Sequence, residues 1–167
     1  MATEEIPAPF DEFRARVRPE WIDHNGHMNM GYYMVVCDLA TDAWFEHVGI
    51  GRAYRAAWRV TTFCLEAHMI YHREVREGDP LRFETHLLDF DAKRLHYVHE
   101  MHHAADGYLA ATNELLSLCV SEDTRRATAM TSEVLARLER LKAAHGALPR
   151  RPQVGRRIGL AAPPTTR

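Results

Sequence analysis

A chain of 167 residues, 46% hydrophobic and 26% charged, is sized and composed for one globular domain with a real core. Its formal net charge of -2 lacks the basic excess of a nucleic-acid binder. Cys37, Cys64 and Cys119 are odd in number and irregular in spacing, which excludes a disulfide framework; each sits in an apolar stretch, so buried free thiols are expected.

Residues 1–10, acidic and carrying Pro7 and Pro9, read as a flexible arm without the apolar stretch of a secretory signal. No apolar run reaches the roughly 18 residues of a membrane span. The expectation is a cytoplasmic protein with no membrane or nucleic-acid partner. One domain is expected over residues 11–145. It opens with a strand in which Phe13, Ala15 and Val17 alternate with Arg14, Arg16 and Arg18, and Pro19 confines that strand to an edge or bend.

The polar stretch from Asp23 to Asn29 is a loop. A helix follows over about 30–48, with Tyr33, Val36, Cys37, Ala40, Trp44 and Val48 on one stripe, Asn29 as N-cap and Gly49 as C-cap. Met34, Val35, Leu39 and Phe45 make its other faces apolar, so burial on most sides is expected. After a connector over 51–57 come four strands, at about 59–75, 81–90, 94–103 and 108–121. Turn signals separate them at 76–80 and at Asp106-Gly107. A second helix is expected over 132–144, capped by Thr131 or Ser132, and then a Pro- and Arg-rich tail over 146–167. Strands joined by tight turns form one antiparallel sheet, and a helix this apolar is buried when the sheet curls around it. The expected architecture is α+β: a hotdog fold, with a five-stranded antiparallel sheet wrapped around a long central helix.

The loop is the densest polar cluster beside a helix start. Free N–H groups at a helix N-terminus can hold a developing oxyanion, and a carboxylate nearby can act on the same carbonyl. Asp23 could equally cap a turn, as could Asn25 and Asn29. His24 and His27 lack a third ligand at fixed spacing, so no metal site is expected.

The run WIDHNGHMNMGYYM, followed by the helix and a strand ending YHREVREGDPL, resembles the hotdog thioesterases of the 4-hydroxybenzoyl-CoA thioesterase type. Those share a D-x-x-G-H-x-N loop before the central helix. The resemblance implies an acyl-CoA thioesterase with no metal or redox cofactor. Asp23 takes the place of the nucleophile or general base, and Gly26 and His27 that of the Gly-His pair. Asn29 opens the helix, and the N–H near Met30 becomes the oxyanion donor. WIDHNGHM, DAKRLHYVHEM and GRRIGL are similar to the thioesterase module associated with L-carnitine dehydrogenases, which implies a small acyl group such as betainyl. Trp21 stands where many relatives carry a second Asp, and the helix offers Asp38, Asp42 and Glu46 where other relatives use a Glu.

Glu66, in the apolar stretch 63–69, must find a partner or face a cleft, so it joins the catalytic candidates; pairing with His68 or an Arg is the alternative. Substrate contacts are expected from Asn25, Gly26, His27 and Tyr33, and CoA-phosphate contacts from Lys93, Arg94, Arg125 and Arg126. Aromatic residues near the loop suit a trimethylammonium group. An exposed edge strand and an apolar helix face imply a homodimer or a dimer of dimers. The competing reading is a non-hydrolytic acyl-CoA binding or regulatory module on the same fold.

Overall fold

Alternating apolar positions build the sheet, and the computed structural model, which describes residues 6–160, places them against one helix. In chain order the elements are β1 (Arg14–Arg16), α1 (Met30–Val48), α2 (Arg52–Trp58), β2 (Val60–Tyr71), β3 (Pro80–Phe90), β4 (Arg94–His103), β5 (Leu109–Ser121) and α3 (Ser132–Gly146). A 3-10 turn at Pro19–Trp21, absent from the sequence reading, links β1 to the loop. The sheet order is β1-β3-β4-β5-β2 with every pairing antiparallel, so β1 and β2 are the edges. This is the five-stranded hotdog arrangement.

Helix α1 buries the expected stripe of Tyr33, Val36, Cys37, Ala40, Trp44 and Val48, and Phe45 with it. Each large apolar side chain so buried contributes about 1.5–3 kcal/mol. Asn29 caps the start of α1 by accepting the Gly31 N–H, and Gly49 ends it at φ 87°, a left-handed conformation that glycine adopts without strain. Two apolar clusters result. One joins Val17, Trp21, Met28, Tyr33 and Phe83 near the start of α1; the other joins Trp44, Val48, Leu87, Tyr97, Leu138 and Leu141 near its end.

Burial of α1 on most sides is corrected. Met34 (36%), Val35 (46%) and Leu39 (39%) are exposed, because β2, with Phe63 (45%) and Leu65 (53%), is an open edge rather than a wall on that side. The expectation for the cysteines is corrected likewise: Cys37 and Cys119 are buried, but Cys64 is exposed on the same edge. Burial drives the Cys37 thiol up to about 12 and Cys119 up to about 11, so neither is a thiolate at neutral pH.

Two histidines fasten the scaffold. The Thr85 hydroxyl donates to His99 Nδ1 (2.8 Å) and His99 Nε2–H donates to Thr41 Oγ1 (2.9 Å). Thr41 in turn donates to the Cys37 carbonyl (3.1 Å), which fixes the tautomer. Burial lowers the His99 pKa to about 3, so this link between β3, β4 and α1 is neutral. His145 Nδ1 accepts the Leu87 N–H (2.9 Å) beside a bulge in β3, and its Nε2–H donates to the Pro7 carbonyl (2.9 Å).

Residues 1–5 of the expected arm and 161–167 of the tail lie outside the described residues. At the arm's end, Phe10 is buried and pairs with Thr85. The tail runs over the outer sheet face, where Arg151 meets Glu100 (3.0 Å) and the Gly155 N–H meets Glu114 (2.7 Å).

Candidate active site

The loop from Asp23 to His27 is a closed turn. Asp23 N–H donates to the His27 carbonyl (3.1 Å), Gly26 N–H donates to the Asp23 carbonyl (3.0 Å), and Gly26 at φ 79° makes the reversal possible. Both flanks are pinned, by Met28 N–H to the Val75 carbonyl (2.9 Å) and by Asn29 N–H to the Trp21 carbonyl (2.9 Å).

Asp23 Oδ1 accepts the Asn25 N–H at 2.8 Å. That backbone bond, aided by His27 and His24, holds its carboxyl below the usual range, so Asp23 is ionised at neutral pH. The turn-capping role is therefore real, in the loop that leads directly into α1. His27 Nδ1 lies 3.2 Å from the Met28 carbonyl. His24, Asn25 and Gly26 are exposed.

At the helix start, Gly31 N–H is taken by Asn29 Oδ1 (2.9 Å). The Met30 N–H has no hydrogen-bond partner among the described residues. A free N–H at the positive end of a 19-residue helix is a donor for an anionic oxygen. Around it stand the Trp21–Tyr32 stack (5.9 Å), Tyr33, whose hydroxyl accepts the Val75 N–H (3.3 Å), and Tyr71, whose hydroxyl donates to the Met30 carbonyl (3.1 Å). Tyr71 did not figure in the sequence reading; only strand pairing brings it to the helix.

Other expected residues lie elsewhere. Glu66 faces away from α1, in a groove of about 850 Å³ on the outer sheet face with His68, His96 and Glu114; neither Asp23 nor Met30 lines it. The reason is register: a bulge between Cys64 and Glu66 turns Glu66 outward, opposite Leu116. Arg94 is held by Asp91 (2.6 Å), and Arg125 stacks over Phe63 (5.5 Å). Lys93 bonds through its carbonyl to Cys119, and Arg126 through its own to Ser121. These four basic residues stand by the far end of β5, whereas Ala111, opposite Tyr71, stands by the loop. From Ala111 to Cys119 the strand runs roughly 26 Å at about 3.3 Å per residue. Within one chain the basic residues do not meet Asp23.

The one metal-capable cluster among the described residues, Glu84, His86 and Glu100, has donor atoms within 4.8 Å of one another on the outer face. The Arg151 guanidinium already sits against it, 2.9 Å from His86 Nε2 and 3.0 Å from Glu100, and supplies the positive charge a cation would bring. Sequence spacing gave no sign of this cluster, because it depends on the β3–β4 register that sets Glu84 opposite Glu100.

A sheet curled on one helix, with an ionised carboxylate in the loop before that helix's open N-terminus, is the layout of a hotdog thioester hydrolase. The thioesterase-like superfamily model matches residues 17–138, and the chain belongs to that family. It is 41% identical over 148 residues to the betainyl-CoA thioesterase of Pseudomonas aeruginosa, a match covering 89% of this chain and 93% of that one. It is 37% identical over 138 residues to the L-carnitine dehydrogenase/betainyl-CoA thioesterase of Agrobacterium fabrum, covering 81% of this chain but 28% of that longer protein. A Staphylococcus aureus protein solved in complex with CoA superposes with a TM-score of 0.85 at 26% identity, over 96% of this chain and all of that one. A thioesterase-type structure from Pseudomonas putida gives 0.79 at 29%, over 95% and 100%. No helix among the described residues is long and apolar enough to cross a membrane.

Proposed function

We propose that the protein hydrolyses betainyl-CoA, or a similarly small acyl-CoA, to the free acid and CoA. The observation that carries this reading is the unpartnered Met30 N–H at the start of α1, preceded by a loop that holds an ionised Asp23, in a chain 41% identical to a betainyl-CoA thioesterase. The thioester oxygen docks on the Met30 N–H, which stabilises the charge that develops there. Asp23 either draws a proton from water, whose oxygen adds to the carbonyl carbon, or adds to that carbon itself to give a mixed anhydride that water then hydrolyses; in both routes the C–S bond breaks and the CoA thiolate leaves, taking up a proton. Gly26, Asn25 and His27 shape the approach, with Tyr33 behind them. The step consumes only water, so no redox cofactor enters it.

The working unit is a homodimer. Exposed Phe63, Leu65, Met34, Val35 and Leu39 cluster on the open β2 edge, whose second side has no partner strand. Antiparallel two-fold pairing of β2 with its copy sets the Tyr71 end of one chain against the Val60 end of the other. The Lys93, Arg125 and Arg126 of the second copy then come toward this chain's loop, in place to meet CoA phosphates. Free cysteines fit a reducing cytoplasm.

Thiol release from betainyl-, aryl- and fatty acyl-CoAs tests the proposal. Betainyl-CoA should be cleaved fastest, and Asp23→Asn should lose about 10²–10⁴-fold in kcat with an unchanged melting temperature. Full activity in Asp23→Asn would remove Asp23 from the mechanism; inactivity of the wild type on the whole panel would end the reading.

A further inference from the structure

Three side chains outside the loop converge within about one helical turn of the Met30 N–H. Tyr71 is fixed there by its hydroxyl bond to the Met30 carbonyl (3.1 Å) and by edge-on packing against Tyr33 (5.1 Å, 87°), while the residue stays 45% exposed. Met34 follows four residues into α1, about 6 Å along the axis. Its sulfur lies 3.5 Å from Asn113 Nδ2. Asn113 is fully buried on β5, opposite Met69, and so diagonal to Tyr71, which pairs with Ala111. Its amide oxygen is buried without any hydrogen-bond partner, a costly arrangement unless a ligand meets it.

An aromatic face, a thioether and an amide oxygen share one property: each presents the negative end of a dipole or quadrupole and none carries a formal charge. A carboxylate-bearing acyl group would find no cationic partner among these three side chains. A primary ammonium, strongly hydrated and needing several acceptors, would find too few. A quaternary ammonium has no N–H to satisfy, is weakly hydrated, and spreads its charge over methyl groups that pack against such surfaces. In an acyl group with one methylene between carbonyl and nitrogen, the charge sits on the order of 2.5 Å from the carbonyl carbon, two standard bonds away.

We infer that Tyr71, Met34 and Asn113 form the acyl subsite of this enzyme and select a quaternary-ammonium group through cation-π and dipole contacts. The inference rests on the thioesterase reading and adds to it the residues that set acyl specificity.

The test compares kcat/KM for betainyl-CoA with that for tert-butylacetyl-CoA, the uncharged isostere in which carbon replaces nitrogen. The wild type should favour the charged substrate by at least about tenfold. Tyr71→Leu should bring the ratio near one, chiefly through a higher KM for betainyl-CoA, whereas Tyr71→Phe, which keeps the ring, should preserve it. Asn113→Leu should lower the ratio several-fold. Met34→Leu, which nearly conserves volume, should lower it two- to threefold and decides the matter if the other variants fail to fold. A wild type that cleaves both thioesters equally, or variants that keep the full ratio, overturns the subsite while leaving hydrolysis intact. A wild type that cleaves neither overturns the hydrolase reading and the subsite together.

Discussion

The two halves of α1 meet different surroundings. Its C-terminal half, with Ala40, Thr41, Trp44, Phe45 and Val48, is enclosed by β3, β4 and α3; His99 and His145 beside it have both ring nitrogens bonded, although the buried Trp44 Nε1–H has no hydrogen-bond partner. Its N-terminal half shows Met30, Met34 and Val35 to solvent, leaves one backbone N–H unpaired, and covers an amide oxygen that nothing meets. The enclosed half fixes position; the open half keeps the polar groups that a substrate can engage. Stability and chemistry are thus separated along one helix.

That division can be broken experimentally, beginning with the largest expected effect. Leu138→Ala removes a fully buried α3 side chain from the cluster around the enclosed half and should cost about 2–5 kcal/mol in urea unfolding, with kcat/KM of the folded fraction unchanged. A matching fall in kcat/KM would mean that the halves are coupled.

Acid supplies the next perturbation. The folded pKa of His99, about 3, lies below its unfolded value near 6.5, so the unfolded chain binds the extra proton between those limits. Stability should therefore be full above about pH 6.5 and decline as pH falls toward 3. The loss is roughly 2 kcal/mol by pH 5, read from the urea midpoint. His99→Gln should flatten that slope, while a slope unchanged by the substitution would assign the dependence to other groups.

The smallest effect compares two caps. Thr131, whose hydroxyl accepts the Val134 N–H, and Asn29, whose amide accepts the Gly31 N–H, each hold a helix start. Either one changed to alanine should cost about 1 kcal/mol of stability. Only Asn29→Ala should also reduce kcat, because it frees Gly31 N–H and loosens the Met30 donor. Equal kinetics in the two variants would argue that the α1 start is merely structural.

Much of the fold could be read from the residues. Alternation at 81–87 and 95–101 gave β3 and β4, and the helical stripe from Tyr33 to Val48 gave α1 with both caps. These signals are local, so a sequence carries them whole. The loop motif placed Asp23 before an open helix start for the same reason. What escaped depends on distant pairing. The outward turn of Glu66 follows from a bulge that no residue type announces. Tyr71 looked like ordinary strand until its pairing with Ala111 carried it to Met30, and Asn113 was one polar residue among several in β5. The Lys93, Arg94, Arg125 and Arg126 candidates are close in type but lie a strand length away from the loop.

His145 has one consequence for architecture. A single imidazole stitches the opening stretch of polypeptide, at Pro7, to the closing helix and to the kinked strand between them. Trp44, which packs on that ring at 5.9 Å, lies 14 residues and about 21 Å along the rod from Met30. Pro7 is therefore tied to the Trp44 end of the helix rather than to its Met30 end.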